Sequence, residues 1–186
     1  MTSSQATNAL LAATILTASA TFASDNPGAH QHGHAELQLA LEGKQIDLIF
    51  TSPAYNLLGF EYRARSDEQK AFVEQVTNWL GQTPLADTRE GSCTVMNAVV
   101  HHQAGSDDHG HNDGHDHDHP NESSHSDFEV TQTLNCSGLQ ASQSLVTPLT
   151  TRFSGIEHLG IQWVWLEGQG STQLGHGEST FELRTR

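Results

Sequence analysis

Between Gly105 and Pro120 the chain reads Gly-Ser-Asp-Asp-His-Gly-His-Asn-Asp-Gly-His-Asp-His-Asp-His-Pro. Neutral imidazole nitrogens interleaved with carboxylate oxygens form the donor set that Zn²⁺, Ni²⁺ and Cu²⁺ prefer. The candidate ligands are His109, His111, His115, His117 and His119, with His125 just beyond and His101 and His102 at the entry; Asp116 and Asp118 supply oxygens between them. A second cluster, His30, His32 and His34, has His-x-His-x-His spacing, and Glu36 and Glu61 are the carboxylates that could complete its shell. On an extended backbone alternate side chains share a face about 6.6 Å apart, so the cluster can be tridentate if the chain bends, or bidentate with a carboxylate completing the shell. Ordering a polar loop costs about 1–2 kcal/mol per residue fixed, so the longer run should hold several ions loosely. That suits capture better than a structural metal site. Binding requires neutral imidazole, and the ordinary His pKa near 6.5 predicts loading that falls as pH drops through about 6.

Other chemistries find little support. The chain has no His-Glu-x-x-His, no Gly-x-Ser-x-Gly and no phosphate-cradling glycine loop. A hydrolytic zinc site keeps three fixed ligands and an open position, which a swinging loop builds poorly. The expectation is a non-enzyme. His158 and His176 stand alone and read as surface or hydrogen-bonded residues. Formal charge is −14, from 22 acidic against 8 basic residues, which disfavours nucleic acid and anionic membrane surfaces as partners. Seven of the acids (Asp107, Asp108, Asp113, Asp116, Asp118, Glu122 and Asp127) lie between Gln103 and Asp127, where divalent cations would offset them.

The N-terminus reads as an export signal over residues 1–23. Leu10 to Ala20 has the length of a signal core and is too short to span a bilayer, and small residues precede Ser24 and Thr21 as alternative cleavage points. No later stretch is apolar enough to cross a membrane. The two cysteines, Cys93 and Cys136, fit an oxidising compartment.

These donors need a scaffold, and the pattern predicts one α+β domain over residues 35–186, preceded by a His-containing segment at 24–34. It should be mostly antiparallel sheet with one main helix, and a long disordered His/Asp-rich loop, 103–127, inserted in a hairpin. Leu37, Leu39 and Leu41 alternate with polar residues, as do Ile46, Leu48 and Phe50; Gly43-Lys44 suits a two-residue II′ turn between them. That register puts all six on one buried face. It places His30, His32, His34 and Glu36, if extended, on the opposite, solvent-facing side. Ser66 and Gln69 form a capping box for a helix with an apolar stripe of Phe72, Val73, Val76, Trp79 and Leu80, ending at Gly81. Cys93–His101 and Phe128–Cys136 read as strands bracketing the insertion. Paired antiparallel, they set Cys93 against Cys136, Val95 against Leu134, Val99 against Val130 and His101 against Phe128. A disulfide across that hairpin follows. Ile161–Leu166, Thr172–Leu174 and Thr180–Leu183 read as strands, Gly168–Gly170 as a turn, and Pro148–Phe153 as a short helix or turn.

An ordered set of motifs is similar to a known family. His32-Gly33-His34-Ala35-Glu36-Leu37 opening a strand, Ser52-Pro53-Ala54 leading to Leu58-Gly59-Phe60-Glu61, the helix and the Cys-flanked His-rich loop together resemble the ZrgA family of zinc-regulated periplasmic proteins of Gram-negative bacteria. The resemblance covers most of the chain after residue 29, Phe153 to Leu174 included. It implies binding of several Zn²⁺ ions in the periplasm, as an accessory to a zinc-uptake ABC transporter whose solute-binding protein is the partner. The family carries His after Gly-Phe-Glu; here Tyr62 stands there, so Glu61 is the residue that carries over. The residues alone support exported metal binding and leave uptake open against sequestration of Cu²⁺ or Ni²⁺.

Overall fold

The structure is a computed structural model that describes residues 31–103, 126–139, 144–166 and 168–183. The expected signal peptide, His30, and the run holding His109, His111, His115, Asp116, His117, Asp118, His119 and His125 lie outside the described residues.

Alternating burial builds the first hairpin, β1 (His34–Glu42) and β2 (Gln45–Pro53). Leu37 pairs with Phe50, Leu39 with Leu48 and Leu41 with Ile46, all buried, as their spacing predicts. Gly43 takes φ 60° in the turn and among the described residues no non-glycine has positive φ, which fits a II′ turn. α1 (Ala54–Leu58) follows directly, and Gly59 ends it in the left-handed conformation. α2 (Asp67–Gln82) starts at the Ser66–Gln69 capping box. It runs past Gly81, the expected stop. Thr83 ends it in an extended conformation, as a residue before proline must be, while Gly81 sits inside the helix close to Val100.

β3 (Asp87–Thr88) leads to β4 (Cys93–Gln103), β5 (Asp127–Cys136) and β6 (Ser144–Val146); α3 (Leu149–Arg152), β7 (His158–Trp165), β8 (Gly168–Gly175) and β9 (Thr180–Glu182) complete the chain. Gly168–Gly170, expected to turn, is the start of β8, whose Gly168 and Gly170 pair with Trp165 and Trp163. The strands form a six-stranded sheet of order β4-β5-β2-β1-β7-β8 and a three-stranded sheet β3-β6-β9. Every described ladder is antiparallel except β1–β7, which is parallel. The fold is α+β, mostly antiparallel sheet. Its core lies on one face of the large sheet, where Leu37, Phe50, Phe128, Leu134 and Ile161 pack in one cluster with Leu57, Val76 and Leu80 from the helices and Leu145 and Phe181 from the small sheet.

Cys93 and Cys136 form a disulfide at the end of the β4–β5 ladder remote from the insertion. From there the register departs from expectation. Val95 pairs with Leu134, Met96 bulges out without a partner, and Asn97 pairs with Thr133. Beyond the bulge Val100 meets Val130, His101 meets Glu129 and His102 meets Phe128. The pairs Val99–Val130 and His101–Phe128 are therefore wrong by one residue. The doublets Val99-Val100 and His101-His102 put one Val and one His inside in either register, so the sequence pattern could not tell them apart.

Candidate metal centre

Strand directions bring the described histidines to one end of the large sheet. β1 and β7 begin there, and β4 and β8 finish there. His32, His34, His101, His102, His158 and His176 all lie at that end. The seven other histidines belong to the stretches before Gln31 and between Gln103 and Ser126, which join the described chain there too.

His34 and His158 are the closest imidazole pair described. They are direct partners in the parallel β1–β7 ladder, both half-buried, with ring centres 5.0 Å apart and planes tilted by 47°. Two imidazoles on one tetrahedral Zn²⁺, at Zn–N distances of about 2.0–2.1 Å, place their ring centres about 5 Å apart. The pair fits a shared ion. Sequence reasoning left His158 isolated because 124 positions separate it from His34 and only the parallel crossover joins them. The signal available was that β7, like β1, opens on a histidine, which has no meaning until the two strands are known to pair.

Glu36 lies on the same face two residues along, opposite Gly160. A Cβ at position 160 would sit 2.6 Å from its Oε2, so Gly160 makes the room in which this carboxylate rests over β7. Burial raises the Glu36 pKa and the neighbouring His34 charge lowers it, burial winning. His34 and Glu36 lie on the face opposite the core, as expected, and are half-buried there.

His32 departs from the extended row altogether. Gln31, His32 and Gly33 form a turn, with Gly33 at φ 84° and the His34 N–H bonded to the Gln31 carbonyl at 3.0 Å. His32 stacks on Tyr55 of α1, ring centres 4.4 Å apart, and its Nε2 lies 2.8 Å from Glu61 Oε1. Nδ1 is then the nitrogen that His32 can offer an ion. Tyr62 stacks on Phe60 and accepts a hydrogen bond from Gln69 Nε2.

The two histidines at the mouth of the insertion diverge. His102 turns toward Phe128, ring centres 4.3 Å apart and nearly parallel, and its Nε2 is 3.0 Å from Ser126 Oγ. Burial lowers its pKa, which favours the neutral, metal-competent form. His101 is exposed and faces the opposite way, beside Glu129. The row His101, Glu129, Thr51, Glu36, Gly160 runs across the outer face. At about 4.8 Å per strand, His101 stands about 14 Å of backbone from Glu36. An open cleft of about 610 Å³ lined by His101, His102, Asp127 and Glu129 borders the mouth. Among the described residues no group of three His, Cys, Asp or Glu side chains is already arranged to hold an ion. The arrangement offers a two-imidazole site with a carboxylate at hand, flanked by further donors.

The family model described as ZrgA family zinc uptake protein matches residues 29–183. No curated protein matches the chain. Among the described residues, no helix is long and apolar enough to cross a membrane.

Proposed function

The chain belongs to the ZrgA family of zinc uptake proteins, and from that premise we propose that it is an exported, periplasmic accessory that captures Zn²⁺ and supports its import by an ABC transporter. One observation carries the reading: the fold gathers His32, His34, His101, His102, His158 and His176 at a single sheet end, with the His34–His158 pair among them. The His/Asp run between Gln103 and Asp127 collects several ions through its many weak donors. The His34–His158 pair, with Glu36 beside it, is the tighter station, because its ligands start from ordered strands and lose little entropy on binding. His32 joins through Nδ1, and Glu61, bonded to the other ring nitrogen, orients the imidazole and raises its basicity. No reaction is catalysed; Zn²⁺ is cargo. The partner that takes it on is the transporter's periplasmic solute-binding protein.

Raw affinity favours Cu²⁺ in any such donor set, so metal preference in a binding assay does not separate uptake from sequestration. Growth does. A strain lacking the gene should grow poorly when zinc is chelated and recover on zinc addition, and His34→Ala with His158→Ala should reproduce the defect. Sensitivity to excess copper alone would refute the uptake role and favour sequestration.

A further inference from the structure

The turn that leads into β1 is held by one side chain. Asn56, in the middle of α1, is 3% exposed. Its Oδ1 accepts the Gly33 N–H at 2.8 Å, and its Nδ2 donates to the His34 carbonyl at 2.7 Å and to Ser52 Oγ at 3.2 Å. The Gly33 carbonyl in turn accepts the N–H groups of both Glu157 and His158, each at 2.8 Å. Gly33 is thus a node between the backbone that bears His34 and the backbone that bears His158, and Asn56 anchors it. The lead into β7 is packed against the same short helix: a Cβ on Gly155 would come within 2.5 Å of the Asn56 carbonyl oxygen. Gly33 itself suits the position, since its φ of 84° is one that side chains rarely adopt and a Cβ would meet Glu157 Oε2 at 3.1 Å.

We propose that Asn56 is the positioning residue of the metal centre, fixing the Gly33 node so that the His34 and His158 imidazoles are presented to one Zn²⁺ without itself touching the ion. The inference rests on the reading of that pair as a zinc site. Both strands are pinned before metal arrives, so the ion meets imidazoles already about the right distance apart. Without the amide, the Gly33 N–H loses its acceptor, the His34 carbonyl loses a donor, and the entry turn is free to move relative to β7. Groups that hold ligands in place in this way are worth about 10–100-fold in metal affinity.

A purely structural role is separable, because the fold contains a matched control. Gln132 is also buried, and its amide also makes three bonds to other groups: Oε1 accepts from the Leu85 N–H, and Nε2 donates to the Leu80 and Thr83 carbonyls. Zn²⁺ affinity of the full chain is measured by competition with a chromogenic chelator, and the centre is identified as the site that His34→Ala with His158→Ala removes. Asn56→Ala should weaken that site by about 10–100-fold and alter the visible absorption of bound Co²⁺. Gln132→Ala should lower the melting temperature yet leave affinity and spectrum unchanged. An Asn56→Ala protein with the wild-type affinity and spectrum overturns the proposal, as does an equal loss in Gln132→Ala. The unmutated protein provides a second test should Asn56→Ala not fold. Zn²⁺ should slow hydrogen exchange at the Gly33 and His158 amides relative to chelator-treated protein, and unchanged exchange at both overturns the proposal. A wild-type chain with no site that the double histidine variant removes would refute the zinc reading of the pair and this inference together.

Discussion

Removing the disulfide should cost the fold heavily and leave zinc chemistry untouched. Cys93 and Cys136 are both buried, with a sequence separation of 43. In the chain-entropy model, closing a loop of that size in the unfolded state is worth about 4 kcal/mol. For a domain of this length, each kcal/mol corresponds to about 2–4 °C, so Cys93→Ala with Cys136→Ala should melt about 10–15 °C lower. Alanine is the right replacement, because serine would bury an unpaired hydroxyl and inflate the loss. The bridge lies at the opposite end of the β4–β5 ladder from the insertion mouth. From Cys136 to Asp127, nine strand steps of about 3.4 Å put about 30 Å of paired backbone between them. Zinc stoichiometry and affinity should therefore match wild type at temperatures where both proteins are folded. Melting curves must be recorded with chelator present, since a bound ion raises the melting temperature by mass action and would mask the comparison. A drop of under about 3 °C would refute the entropic argument. Altered zinc affinity in the folded variant would refute the separation of scaffold from site.

Replacing residues 106–124 with a short Gly-Ser linker should lower zinc stoichiometry by several ions in calorimetry, while the melting temperature stays within a few degrees and the His34–His158 site keeps its affinity; unchanged stoichiometry would make that stretch a spacer. Gly160→Ala would bring a methyl 2.6 Å from Glu36 Oε2. The flexible carboxylate should move aside at a cost of about 0.5 kcal/mol or less in denaturant unfolding, but zinc affinity should fall several-fold. Wild-type affinity in that variant would remove Glu36 from the site. His102 has a folded pKa below its unfolded value through burial. Its contribution to stability is therefore complete above the unfolded pKa near 6.5 and is lost as pH falls from there through the folded value. Metal-free wild type should lose stability below pH 6.5 more steeply than His102→Phe, and parallel pH profiles for the two would contradict this.

Much of this protein was legible without a structure because its signals are local. Donor chemistry in the His/Asp run depends on residue type alone. The β1–β2 register follows from strict alternation and a Gly at the turn, and the α2 start follows from two side chains three residues apart. The Cys93–Cys136 pairing needed only the strand pattern beside it, before any bulge could intervene. Elsewhere, local signals were degenerate or absent. Gly81 has the residue type of a helix stop, but α2 runs through it and ends at Thr83, the residue before a proline. The Met96 bulge exchanged the faces of His101 and His102, because paired doublets satisfy either register equally well. Above all, the partnership of His34 with His158 arises from a parallel crossover of strands far apart in the chain, and the Asn56 anchor arises from a short helix packed against the segments that lead into both. Composition by itself pointed to metal binding. Which two imidazoles stand 5.0 Å apart was decided by strand order, since pairing across long sequence separations is set by the packing of the whole core.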